Sequence, residues 1–142
     1  MSTEQTTALV RPYFDECVSQ ASGPGQRQAL AIVDELLTDD FVMRYNTADA
    51  EATRGRQGHK EFLVAHAGNF PNDSWTIEAL IADEETAACH WRIQTIYAPT
   101  GNPIDVRAAG FYRVRGGRLA ELRRSLDFKS LDRQKRRPAA RG

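Results

Sequence analysis

The 142-residue chain has only two cysteines, three histidines, no net charge and no long apolar run. Each shortage excludes something. Cys17 and Cys89 form no CxxC pair and match no metal-ligand spacing. One falls in a helical pattern and the other in a strand pattern, so both are expected as small buried apolar residues. A formal charge of zero, with 27% of residues charged, supplies no sustained basic field, so neither nucleic acid nor an anionic membrane is an expected partner. No segment approaches membrane-spanning length, and the opening "MSTEQTTALVRPYF" lacks a charged-then-apolar leader. A soluble, cytoplasmic domain is the expectation. There is no internal repeat, and the glycines of "RGRQG" fit no nucleotide fingerprint, so no cofactor is expected. His59 and His66 share a helix face but have no HxH or HxxxH partner, so no metal site is expected.

What is present changes period part-way along. The length suits one domain with a real core. "TTALVRPYFDECVSQA" sets Leu9, Val10, Tyr13, Phe14, Cys17 and Val18 at helical intervals, with Pro12 as a kink or as the true helix start. After "SGPG", the run "QRQALAIVDELLTDDF" carries Leu30, Val33, Leu36 and Leu37 on a second stripe. A short extended piece, "FVMRYNT", precedes a third helix in "RGRQGHKEFLVAHAGNF", which "FPND" stops. Four strand-like runs follow: "SWTIEALIA", "TAACHWRIQTIYA", "IDVRAAGFYRVR" and "RLAELRRSLD". Their separators, "DEE", "PTGNP" and "GG", have the chemistry of hairpin connections. The expected class is therefore α+β. Four long antiparallel strands, plus a short N-terminal one, form a curved, cone-shaped sheet wrapped around three N-terminal helices. Such a cone leaves an interior cavity in which polar groups are costly and informative. Residues 1–134 are read as this single domain. Residues 135–142, within "RQKRRPAARG", are read as a basic, disordered tail.

The order of elements, with "LLTDDFV", "TRGRQGHKEFL", "FPNDSWTIEALIADEETAACHWR", "PTGNPIDV" and "GGRLAEL", resembles the SnoaL-like polyketide cyclases of the nuclear-transport-factor-2-like, ketosteroid-isomerase-like superfamily. The likeness spans roughly residues 8–134. It implies a cofactor-free enzyme of secondary metabolism, such as antibiotic biosynthesis, that closes a ring by aldol-type acid/base chemistry on a hydrophobic, polyketide-like polycyclic substrate. It also implies a homodimer formed through the open face of the sheet. Because the same cone hosts other chemistries, hydroxylation, dehydration, epoxide opening or isomerisation, and plain ligand binding stand as alternatives. The family keeps an acidic acid/base residue near the end of its last strand, which falls on Asp127. Beside it, Arg123 stands where relatives often have tryptophan.

Strand alternation supplies the remaining candidates. In the last run, Leu119, Glu121, Arg123, Ser125 and Asp127 share one face, and Ala120, Leu122, Arg124 and Leu126 share the other. If the odd face looks inward, Asp127 is the catalytic acid/base and Arg123 a substrate contact. In "ACHWRIQ", His90 and Arg92 share a face opposite Trp91. Facing inward, His90 would exchange protons with Asp127, and Arg92 would hold an oxygen that gains charge. The opposite phase puts Trp91 in the pocket instead, and one sequence leaves both phases open. Tyr45, Phe62, His66 and Trp75 are expected to line the cavity, whereas His59, near the glycine-rich helix start, is expected to face water.

Overall fold

The computed structural model describes residues 2–45 and 48–138, apart from the side chains of residues 48–50. Chain order runs α1 (Thr3–Pro12), a π-helical turn (Tyr13–Val18), α2 (Gln26–Leu36), β1 (Leu37–Tyr45), β2 (Ala48–Arg54) and α3 (Gly55–Asn69). It continues with β3 (Ser74–Ala82), β4 (Thr86–Tyr97), β5 (Asn102–Arg115), β6 (Arg118–Leu126) and α4 (Phe128–Arg136). The six strands form one curved, unclosed sheet in the order β2-β1-β6-β5-β4-β3. The α+β cone expected from the sequence is the observed class.

Three details differ from the expectation. The N-terminal extended piece is a pair of strands, and β1 joins β6 in parallel, so the sheet is mixed rather than wholly antiparallel. Pro12 ends α1 without breaking the chain's helical course. The segment beyond it widens into a π-helical turn that buries Tyr13, Phe14, Cys17 and Val18. A fourth helix follows β6 and runs through Lys135 and Arg136, which the sequence reading had placed in a tail. Residues 139–142 of that tail lie outside the described residues.

The meander from β3 to β6 follows from local chemistry. Asp83 accepts hydrogen bonds from the backbone N–H groups of Glu85 (2.8 Å) and Thr86 (2.7 Å), which closes the first hairpin turn. Gly116 and Gly117 take φ of 59° and 78°, the paired positive values of the hairpin turn that matches strand twist. β5 alternates without a break, even-numbered residues buried and odd-numbered ones exposed from Asn102 to Arg115. At Gly110 the sheet has no room for a side chain, because a Cβ would lie 2.8 Å from the Arg123 carbonyl oxygen and 3.2 Å from the Trp91 ring.

Helices α1 to α3 close over the concave side of the sheet. Phe14 meets Trp91 edge-on at 5.2 Å, and Tyr13 meets Tyr112 at 5.7 Å. Burial pushes the thiols of Cys17 and Cys89 up to about 12 and about 11, so both behave as the apolar fillers expected of them. His59 departs from expectation. It is fully buried, its Nε2 lies 2.8 Å from the Tyr13 hydroxyl, and its ring packs 5.0 Å from Phe41. The third helix must rotate that way to turn Leu63 into the core and Phe62 and His66 toward the sheet.

Candidate active site

A cavity of about 140 Å³ lies between the concave face of the sheet, α3 and α4. Ile93, Thr95, Ile104 and Val106 form its floor on β4 and β5, Phe62 comes from α3 and Phe70 from the residue just after it, and Phe128 and Leu131 of α4 stand at its edge. Two ionisable side chains, His66 and Arg124, line this space, and both pack against Phe62.

The first is built where α3 ends. His66 Nε2 lies 2.7 Å from Asp73 Oδ2, and the same oxygen accepts the Trp75 indole N–H at 3.0 Å. The Asp73 side chain is 1% exposed, and its backbone N–H donates to the Ser22 hydroxyl at 2.9 Å. Its other oxygen, Oδ1, is buried without a partner. An ionised carboxylate only accepts, so Nε2 carries a proton toward Asp73, and in the neutral ring Nδ1 is the lone-pair nitrogen. A carboxylate that orients a histidine and holds its tautomer, beside an apolar space, is the arrangement that proton transfer requires. His66 also stacks on Phe70 at 4.8 Å, so its ring plane is held on two sides.

The second group is Arg124 on β6, only 7% exposed. Its Nη2 donates to the Tyr45 hydroxyl at 3.0 Å, while its guanidinium carbon lies 5.1 Å above the Tyr45 ring and 5.3 Å from Phe62. Its Nε has no partner. The positive charge reaches into the core: with desolvation as the larger cause, it holds His59 down to about 3.

The structure therefore gathers Tyr45, Phe62, His66 and Trp75 around one cavity and leaves the other candidates elsewhere. Trp91 lies behind the wall, fully buried and stacked on Trp75 at 6.4 Å. His90 and Arg92 are on the outer face of the sheet. His90 Nδ1 sits 3.4 Å from Glu78, and Arg92 Nε donates to Asp105 at 2.8 Å. Their phase is set by β4, whose buried residues are Ala87, Cys89, Trp91, Ile93 and Thr95. Arg123 also points outward and donates to Glu121 at 2.7 Å. Asp127 is exposed and caps α4, its Oδ1 accepting the Ser130 N–H at 3.0 Å.

One irregularity in β6 explains the reversal. Pairing with β5 slips between Arg113 and Val114, so Leu119 and Leu122 are both buried and parity changes between them. Even-numbered residues face inward from there on. Arg124 and Leu126 occupy the cavity that Arg123 and Asp127 were expected to enter. Asp73 was read only as part of a helix stop. Its signal, an acid just after "FPN" and two residues before a tryptophan, becomes informative only when α3 brings His66 beside it. Among the described residues, no three His, Cys, Asp or Glu side chains gather as a metal site would need.

Comparison with known proteins adds a family and a fold. A family model described as a SnoaL-like domain matches residues 13–122. No curated protein matches the sequence. Among solved structures, a Jannaschia sp. CCS1 protein provisionally described as a SnoaL-like polyketide cyclase superposes with a TM-score of 0.83 at 17% identity, covering 96% of this chain and 95% of its own. TsrD from Streptomyces laurentii gives 0.77 at 15% identity, covering 96% and 98%. A Mycobacterium tuberculosis epoxide hydrolase of the LEH-like type gives 0.70 at 21% identity, covering 93% and 92%. At such identities these neighbours establish the cone-like fold alone.

Proposed function

We propose that this chain, which belongs to the SnoaL-like domain family, is an acid/base enzyme that moves a proton on a small hydrophobic molecule bearing an enolisable carbonyl group. The observation that carries the reading is the 2.7 Å His66–Asp73 pair, whose histidine lines an apolar cavity that a buried arginine also lines. His66 Nδ1 takes a proton from the carbon next to the carbonyl, while Asp73 holds the ring and balances the imidazolium that forms. Arg124 and the Tyr45 hydroxyl bind ligand oxygen. A fixed cation and a hydroxyl in water-poor surroundings stabilise developing negative charge without having to reorganise. The resulting enolate can return its proton at another carbon, which is isomerisation, or attack a second carbonyl, which is aldol-type ring closure.

The catalytic roles that strand alternation and the family resemblance suggest for Asp127, His90 and Arg92 belong in this reading to His66, Asp73 and Arg124. A cavity of about 140 Å³ suits a single-ring portion of the substrate better than a polycyclic body. An apolar cavity of roughly 150 Å³ holds benzene.

The test is deuterium incorporation from D₂O into a panel of aromatic ketones, such as acetophenone and tetralone, followed by proton NMR. The native protein is expected to exchange the hydrogens next to the carbonyl. His66→Gln should do so about 10²-fold more slowly, the lower end of what a positioned base contributes. Equal rates for the two proteins, or no exchange above buffer with any ketone, would overturn the proposal.

A further inference from the structure

Arg124 makes a more specific statement about the ligand than a general oxygen contact. A guanidinium presents five N–H donors in a planar fork. Here the group is 7% exposed, and among the described residues its one hydrogen bond, 3.0 Å to the Tyr45 hydroxyl, goes to a neutral partner. The remaining contacts are faces of Tyr45 and Phe62. Among the described residues no carboxylate lies within ion-pair reach of it, although every other cation around the cone that forms an ion pair does so at the surface. Its Nε is buried and unpartnered, on the cavity side of β6. A desolvated guanidinium with no counter-ion is costly to keep, and it becomes favourable when a planar anion supplies the missing acceptors. Arginine suits a carboxylate in this respect, because fork and carboxylate match two bonds at a time.

We infer that the cavity takes a small aromatic or alicyclic carboxylate, its two oxygens on the Arg124 fork and the Tyr45 hydroxyl and its ring between Phe62 and the apolar floor. The inference rests on the acid/base reading for its last element only. With the carboxylate at Arg124, the reactive carbon is the one nearest His66, which lines the same cavity. The Phe62 ring packs 6.0 Å from His66 and 5.3 Å from the guanidinium carbon, so one ring-sized ligand touching Phe62 reaches both polar groups. Binding at Arg124 needs no turnover and stands or falls on its own.

The experiment is calorimetric or tryptophan-fluorescence titration of the native protein with benzoate, methyl benzoate, benzamide and acetate. Benzoate is expected to bind about 10- to 100-fold more tightly than its ester or amide, the range that hydrogen bonds to a charged donor supply. It should also outbind acetate, which lacks the ring. Arg124→Met is expected to abolish the preference for acid over ester. Arg124→Lys, which keeps the charge without the fork, should retain part of it, and His90→Gln, on the outer face of the sheet, should retain all of it. Since benzoate has no exchangeable C–H next to a ketone, its binding is read independently of catalysis. Benzoate and its ester binding alike, acetate matching benzoate, or an undiminished preference in a folded Arg124→Met would each overturn the inference. So would a failure of benzoate to bind at millimolar concentration. Arginine-dependent benzoate binding by a protein that exchanges no ketone hydrogens would leave the carboxylate site standing and remove the acid/base reading alone.

Discussion

Replacing His59 by glutamine is expected to remove an acid sensitivity that the fold builds into α3. The imidazole is fully buried and bonded to the Tyr13 hydroxyl, with Thr53 Oγ1 at 3.4 Å from Nδ1. Desolvation, then the charge of Arg124, lowers its titration from 6.5 to about 3. Folding therefore requires the neutral ring, while the unfolded chain binds a proton as pH falls through 6.5. Because the unfolded state binds more protons between pH 6.5 and 3, stability falls as pH is lowered through that window. At pH 5 the solution lies about 1.5 pH units below the unfolded histidine's 6.5, which at 1.36 kcal/mol per unit makes the penalty about 2 kcal/mol relative to pH 8. The assay is urea unfolding at both pH values, followed by the fluorescence of Trp75 and the buried Trp91. His66 and His90 are present in both proteins and cancel in the comparison. Asp105, held below the usual carboxylate range by hydrogen bonds from Arg92, is likewise common to both proteins and cancels too. The native protein should lose about 2 kcal/mol more than His59→Gln between pH 8 and pH 5. Equal losses would refute the reasoning, since they would mean that the folded state tolerates a charged His59.

Substitutions at two further positions test the geometry of the last two strands and α4. Asp127→Ala removes the N-cap of α4 and should cost about 1 kcal/mol in chemical unfolding, whereas Asp127→Asn, itself a good cap, should cost little. Gly110→Ala forces a Cβ to 2.8 Å from the Arg123 carbonyl, so the β5–β6 pairing must shift; a loss of roughly 1–3 kcal/mol is expected, and an unchanged melting temperature would contradict the close approach.

The elements that were legible in the sequence are those whose burial obeys one period. β5 is the clearest case, with inward and outward residues alternating over its whole length and a glycine pair closing the turn after it. The meander and the first three helices follow from the same kind of signal. The site was less legible because each of its polar residues depends on something periodicity does not record. Arg124 faces inward because one slip in the β5–β6 register changes parity between Leu119 and Leu122. Asp73 acquires meaning from the α3 rotation that buries His59 and brings His66 beside it. Asp127 carried a readable helix-start signal, an aspartate ahead of Phe128 and Leu131 with basic residues in the last turn, but its position at a strand end suggested an acid/base role first. Tyr45, Phe62, His66 and Trp75 were accessible from pattern because large aromatic or amphipathic side chains at the ends of elements tend to meet in the cone's interior.

The central claim is that proton transfer is served from the end of α3 rather than from the end of the last strand. The direct measurement compares two isosteric variants, Asp73→Asn and Asp127→Asn, for deuterium incorporation into a bound aromatic ketone, with matched near-ultraviolet circular dichroism to show that both are folded. Asp73→Asn is expected to lose about 10²-fold or more in exchange rate, because His66 loses the carboxylate that orients it and balances its charge. Asp127→Asn is expected to exchange at the native rate. The reverse pattern, a slow Asp127→Asn beside a fully active Asp73→Asn, would contradict the account and return the chemistry to the end of β6.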